Sequence, residues 1–334
     1  MPTRAARALH RILHQRAGIK PGEHVLIVAD RSTERQLLKA LVWSVEQLGA
    51  VYTVLVQPDA GWDPVDRYAL TPPAREAYPA ADLVIAVTRS SSAALYGRPQ
   101  EFRDLMEARS RVRMLSLCER SLKAVMADRA DYAEISRVNQ RLKEIFRSGR
   151  RLRLRSPAGT DLEAALQPID YERLWARLSH EGWALEPGAF GAVPDGEVHI
   201  PPPPASINGV VVVDGPVANI CQGGPDRPIT VLVEAGRIKG IGGGRDARRL
   251  KEFIDSLDQG WISEVGVGTN PFCRRASLLH VAKKALGSAH VAYGGWWGFQ
   301  ADIPYRVHGD MVIRRAELEV DGRQFLAGGR LLLD

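Results

Sequence analysis

Four short apolar runs separated by helix-like segments constrain this chain more than any other feature of its sequence. His24 to Ala29, Val51 to Val56, Asp82 to Val87 and Arg113 to Leu117 each have the length of a strand and are apolar almost throughout. A strand that is apolar on both faces is buried on both, which is the habit of parallel sheets covered by helices. Thr33 to Leu48 carries apolar residues at helical spacing between the first two runs, and Gly49-Ala50 ends it. An amphipathic stretch from residue 4 to 20, with Leu9, Ile12, Leu13 and Ile19 on one stripe, stops at Pro21-Gly22 and reads as a helix followed by a turn. The first domain, residues 1–149, is therefore expected to be an α/β unit with a doubly wound parallel sheet. It contains no Gly-x-Gly-x-x-Gly or Walker motif, so nothing there demands a nucleotide.

After residue 150 the texture changes. Arg151 to Arg155, Val210 to Asp214, Ile229 to Glu234, Arg237 to Ile241, Met311 to Arg315 and Leu318 to Val320 are short strand-like runs punctuated by Gly and Pro. Two helices stand out, Asp246 to Leu257 and Ala276 to Leu286, and Pro201 to Pro204 forms a rigid extended stretch. A length of 334 residues suits two domains. The second, residues 150–334, is expected to be β-rich α+β and to carry the chemistry.

Charge narrows the partners. Lys and Arg number 45 against 39 Asp and Glu, a net +6, and the segment 137–155 holds much of the excess. Its second half, Arg151-Leu152-Arg153-Leu154-Arg155, alternates with period two, as a half-buried strand does. The run thus reads as a solvated helix and an exposed strand, with no nucleic-acid partner and no membrane partner. No apolar run approaches the length of a membrane helix, and no apolar leader follows Met1, so a cytoplasmic location is expected. Cys118, Cys221 and Cys273 are odd in number and far apart, which fits neither a disulfide framework nor a thiolate zinc site.

The residues that can do chemistry concentrate after residue 195. His308-Gly309-Asp310 sends both functional side chains to one face of an extended segment, because positions i and i+2 share a face. His290 lies on a short apolar strand just after Gly287, and Glu197 and Glu264 stand among glycines and apolar residues. Imidazole and carboxylate together suit zinc, manganese, cobalt or iron(II), and five such ligands suffice for a two-metal site. Trp296, Trp297 and Phe299, flanked by glycines, are candidates for core packing or for an apolar pocket wall.

These residues also carry a resemblance. Gly196-Glu197-Val198, Asn208-Gly209, Glu264 to Pro271, Leu286 to Gly294 and His308-Gly309-Asp310 occur in the order and surroundings of the thermophilic metallo-aminopeptidases, the aminopeptidase T and aminopeptidase S family. Pro21-Gly22-Glu23, Gly49-Ala50 and Gly159 to Leu162 resemble it too, so the likeness runs from about residue 8 to the end. The resemblance implies that Glu197, Glu264, His290, His308 and Asp310 bind two divalent ions per chain, zinc, cobalt or manganese. It further implies a hydrolase in which the metal pair activates a water against an N-terminal peptide or small amide bond, with Glu197 or Glu264 moving the proton. The assembly it implies is a homodimer.

Two departures qualify the match. Trp297 stands where the family has a tyrosine, and Tyr305 where it has a small hydroxyl residue; Tyr293 or Tyr305 can supply a hydroxyl to the pocket instead, beside Trp296 and Trp297. The dihydroxypyridine ring-cleaving dioxygenases share the fold and imply an alternative, one iron(II) held by two histidines and a carboxylate. Those relatives look to have a histidine where this chain has Glu264, which weights the expectation toward the hydrolase. A second alternative is a specialised protein that has lost catalysis, and the retention of all five ligand types speaks against it.

Overall fold

The computed structural model describes residues 3–58, 71–87, 111–119, 121–126, 129–273, 278–296, 300, 303 and 306–333. The chain divides into two compact units, one of residues 1–129 with 182–195 and one of 130–181 with 196–334.

In the first unit the four apolar runs become parallel strands, His24–Asp30, Val51–Gln57, Leu83–Val87 and Arg113–Leu117. A fifth parallel strand, Phe190–Val193, pairs beside Arg113–Leu117 and closes the order at that edge. The sheet thus has the parallel form that the doubly buried runs imply. Its core sets Leu9 and Leu13 of the helix Arg4–Ala17 and Leu37 and Leu41 of the helix Arg35–Gln47 against Ile27, Ile85 and Leu115, all fully buried. Full burial of each such side chain is worth about 1.5–3 kcal/mol; the edge strand Val51–Gln57 departs from the expected double burial, with Val51, Tyr52 and Val56 exposed.

The second unit contains two antiparallel sheets. One has eight strands and includes Arg151–Arg155, whose exposed face is neutralised locally. Arg153 makes a two-pronged pair with Asp161 at 2.7 and 2.8 Å, Arg151 reaches Glu163 at 3.7 Å, and Arg155 pairs with Glu319. The basic segment thus spends its charge on neighbouring strands. The other sheet has five strands in the order His308–Ile313, Ala289–Gly294, Ile262–Gly268, Glu197–Ile200 and Ser179–His180.

A single boundary at 149/150 does not describe this division. The helix Tyr132–Ser148 belongs to the second unit because its buried Asn139 donates to the carbonyls of His180 and Glu197 and accepts from the Thr269 hydroxyl. Segment 182–195 belongs to the first because it supplies the fifth parallel strand. Among the described residues no helix is long and apolar enough to cross a membrane.

Candidate metal centre

The five-stranded sheet builds the site through register. Gly268 lies opposite Glu197 and Gly266 opposite His199 on one side, while Gly266 lies opposite His290 on the other. Ala292 pairs with Glu264 and with Asp310, and Gly294 with His308. Because side chains alternate along a strand, Glu197, His199, Glu264, His290, His308 and Asp310 all share one face. The positions between them on that face are Gly266, Gly268, Ala292 and Gly294, so six functional side chains occupy a layer with nothing bulky beneath them.

Gly266 is the tightest of these. A Cβ there would stand 2.3 Å from the ring atoms Cε1 and Nε2 of His290 and 3.1 Å from Cβ of His199. Gly266→Ala is therefore expected to push His290 off its carboxylate partner, at an overpacking cost of about 1–3 kcal/mol. A melting curve and a metal assay check this; unchanged stability together with unchanged metal content refutes the crowding.

The five predicted ligands are brought together. Glu264 is their hub: His199 donates from Nδ1 to its Oε2 at 2.9 Å and His290 donates from Nε2 to its Oε1 at 3.0 Å. His308 Nε2 lies 3.6 Å from Glu264 Oε2 and 3.3 Å from Asp310 Oδ1. The other nitrogen of His308, Nδ1, is 3.0 Å from the carbonyl oxygen of Gly295 and donates to it, which turns the Nε2 lone pair toward the two carboxylates. A lone pair facing two carboxylate oxygens needs a cation between them, either a proton or a metal ion. Burial opposes charge on His308, yet Glu264 and Asp310 outweigh it and raise its pKa.

Three more residues enter that sequence reasoning missed, His180, His199 and Lys283. His180, Glu197 and His199 form a second cluster whose ligand atoms lie within 4.8 Å of one another, beside the Glu264, His308 and Asp310 cluster of the same compactness. The rings of His180 and His199 stack with centroids 5.0 Å apart. Glu197-Val198-His199 repeats the i, i+2 spacing of His308-Gly309-Asp310 and was legible on that ground. His180 had no such signal, since only the strand pairing Ser179 to Val198 and His180 to Glu197 brings it in. Lys283 places Nζ 3.1 Å from Glu197 Oε1 and 3.1 Å from Asp310 Oδ2. Burial works against ionising Glu197 and Asp310, but Lys283 is the largest of the charges that overcome it and hold both carboxyls far below their usual range.

The expected pocket residues divide. Trp296 is fully buried and sets its indole Nε1 3.4 Å from His199 Nδ1, so it walls the site. Tyr293 does not reach the ligands. Strand alternation turns it to the opposite face, where its hydroxyl donates to the Ala218 carbonyl at 2.9 Å and its ring packs edge-on against Phe253. Trp297 and Tyr305 lie outside the described residues.

The donor set fits a divalent ion. Ligands about 2.1 Å from a six-coordinate ion stand about 3.0 Å apart along each shared edge, close to the spacings from His308 Nε2 to Asp310 and Glu264. One imidazole and two carboxylates favour a metal that accepts hard oxygen donors. Two buried atoms on the same face, His199 Nε2 and Glu197 Oε2, have no hydrogen-bond partner among the described residues.

Comparison with known proteins adds a family. A model of the 2,5-dihydroxypyridine 5,6-dioxygenase family, NicX, matches residues 6–333. A curated 2,5-dihydroxypyridine 5,6-dioxygenase from Pseudomonas putida KT2440 is 25% identical over 202 residues, 55% of this chain and 55% of its own, so the match spans about half the length of that relative. The solved structure of a 2,5-dihydroxypyridine dioxygenase from the same organism superposes with a TM-score of 0.75 at 19% identity, covering 99% of this chain and 98% of the other. Wild-type AmpT from Thermus thermophilus superposes with a TM-score of 0.68 at 16% identity, covering 98% and 99%. At these identities the two structures speak for the fold alone.

Proposed function

The chain belongs to the 2,5-dihydroxypyridine 5,6-dioxygenase family, and from that premise we propose that it is a metal-dependent dioxygenase that opens a dihydroxylated nitrogen-heteroaromatic ring. The membership overturns the expected aminopeptidase-like hydrolase, with its peptide or amide substrate and its two-metal-activated water. A family model over nearly the whole chain and a curated relative both carry the dioxygenase name. The shared fold of AmpT accounts for the resemblance that suggested the hydrolase.

One observation carries the metal assignment. His308 Nε2 faces oxygens of Asp310 and Glu264 at 3.3 and 3.6 Å, with its other nitrogen tied to the Gly295 carbonyl. We assign one iron(II) to this trio. It departs from the two-histidine, one-carboxylate set of many non-haem iron oxygenases, and Glu264 carries the difference. A bound iron(II) supplies the one-electron chemistry that lets dioxygen react with a closed-shell ring.

The protein's own groups do the rest. Asp310 and Glu264 bring two negative charges to a divalent ion, leaving the ligand set neutral. Glu264 also fixes His199 as the Nδ1–H tautomer, so Nε2 points its lone pair into the site. That nitrogen is placed to accept the proton of a ring hydroxyl, a general-base role for a neutral imidazole. Trp296 offers a flat apolar wall to a planar ring and keeps water away from the histidine.

The test is oxygen uptake by protein stripped of metal and reloaded anaerobically with iron(II), offered 2,5-dihydroxypyridine and its positional isomers. Uptake of dioxygen matched to the loss of ring absorbance, and abolished by a chelator, is the expected result. Iron bound at the trio with no uptake on any isomer refutes the reading.

A further inference from the structure

We propose that the Lys283 ammonium takes the place of a second divalent ion, holding the site to one metal, and that a second metal site at His180, Glu197 and His199 opens when Lys283 is removed. The inference rests on the one-metal reading above and deepens it.

The geometry comes first. Lys283 Nζ is equidistant, at 3.1 Å, from Glu197 Oε1 in one cluster and Asp310 Oδ2 in the other. Its side chain is only 12% exposed, so this is an internal cation held between two buried carboxylates rather than a surface ion pair. Two metal ions in a shared site sit about 3.5–4 Å apart and divide the carboxylates between them. An ammonium that contacts one carboxylate from each cluster stands where such sharing would occur.

Charge balance points the same way. Among groups within ion-pair distance of one another, Glu197, Glu264 and Asp310 contribute −3 and Lys283 contributes +1. One divalent ion brings the sum over these four groups to zero, whereas a second brings it to +2. Each of the four is almost fully buried, and the buried Lys284, which also acts on Glu197, adds to the positive side. Uncompensated buried charge is strongly disfavoured. Replacing the ammonium by a second ion gives +1, a smaller excess.

The vacated ligands are already in place. Glu197, His199 and His180 have ligand atoms within 4.8 Å of one another, and Glu197 Oε2 and His199 Nε2 have no hydrogen-bond partner among the described residues. What Glu197 lacks for binding metal is release from Lys283. Met matches lysine in length and removes the charge, so Lys283→Met supplies that release.

The experiment counts cobalt(II) bound per chain after stripping and equilibrium dialysis, on the full-length protein. The wild type is expected to hold about one ion and Lys283→Met about two, with the second lost again in Lys283→Met/His199→Ala. Lys283→Arg, which keeps the charge, is expected to stay at one. A wild type that binds two ions overturns the proposal, as does a folded Lys283→Met that stays at one. If Lys283→Met does not fold, Lys283→Gln decides the matter: it removes the charge and keeps a polar chain, and a folded variant that stays at one ion overturns the proposal. The parent reading fails separately, through absent oxygen uptake by iron-loaded wild type, which the cobalt count does not touch.

Discussion

Replacing His308 with alanine is expected to empty the metal site and to abolish oxygen-dependent turnover. The substitution removes the one imidazole of the trio and leaves Asp310 and Glu264 facing a cavity, with Lys283 and the neighbouring histidines as counter-charges among the described residues. Loss of a residue that merely orients a ligand costs about 10–100-fold in metal affinity. Loss of the ligand itself therefore exceeds about 100-fold, enough to clear the site at micromolar metal. Elemental analysis and oxygen uptake on the same preparation provide the check, with Arg153→Ala as the control. Arg153 sits on the eight-stranded sheet, bound to Asp161, and its loss should move neither readout. Iron content and uptake that survive in His308→Ala would place the metal elsewhere, and the His180, Glu197 and His199 cluster is the first alternative.

The parallel sheet was legible because its inner strands are buried on both faces, so burial writes the same signal at every position from Val25 to Ala29, whereas the edge strand Val51–Gln57 was read from apolar residues that the fold leaves largely exposed. The clustering of His308 and Asp310 was legible for the opposite reason, these being polar residues at strand spacing where apolar ones were expected. Tyr293 shows where that arithmetic stops. In Ala289–Gly294 every residue is buried, so composition does not reveal which parity faces the ligands. The register to His308–Ile313 decides it, and puts Tyr293 opposite Gly309, away from the candidate metal site. Lys283 was illegible because it comes from the turn after a one-turn helix, Leu279–Ala282, with no strand parity to predict where its amine points. The chemistry was harder still, since carboxylates and imidazoles on one sheet face serve a hydrolase and an oxygenase alike. Glu264 weighted the sequence reading toward the hydrolase because the dioxygenases look to have a histidine there, and it was read as a ligand and proton carrier. The structure gives it a second occupation, as acceptor for His199 and His290.

That second occupation predicts a large loss of stability when Glu264 is removed. Glu264→Ala removes the acceptor of two buried imidazole N–H groups and the negative charge beside His308. Breaking a buried ionic network from one side costs about 3–5 kcal/mol, which for a unit of this size lowers Tm by roughly 10 °C. Glu264→Gln separates charge from shape, and the pH dependence of its deficit follows from the pKa directions in the metal-free protein. Burial disfavours the Glu264 carboxylate, but His199 and His308 and the hydrogen bonds from His199 and His290 hold its pKa well below normal. A depressed carboxyl stabilises above its unfolded pKa, about 4.3, and loses that contribution as pH falls below it. His308 is raised, so its contribution is complete below about 6.5 and disappears as pH climbs through its folded value. Both contributions depend on the Glu264 charge. The gap in Tm between metal-free wild type and Glu264→Gln is thus expected to be widest between about pH 4.5 and 6.5 and to narrow on either side. Melting curves from pH 3 to 9 test it, and a gap of constant width would show that Glu264 acts through packing alone.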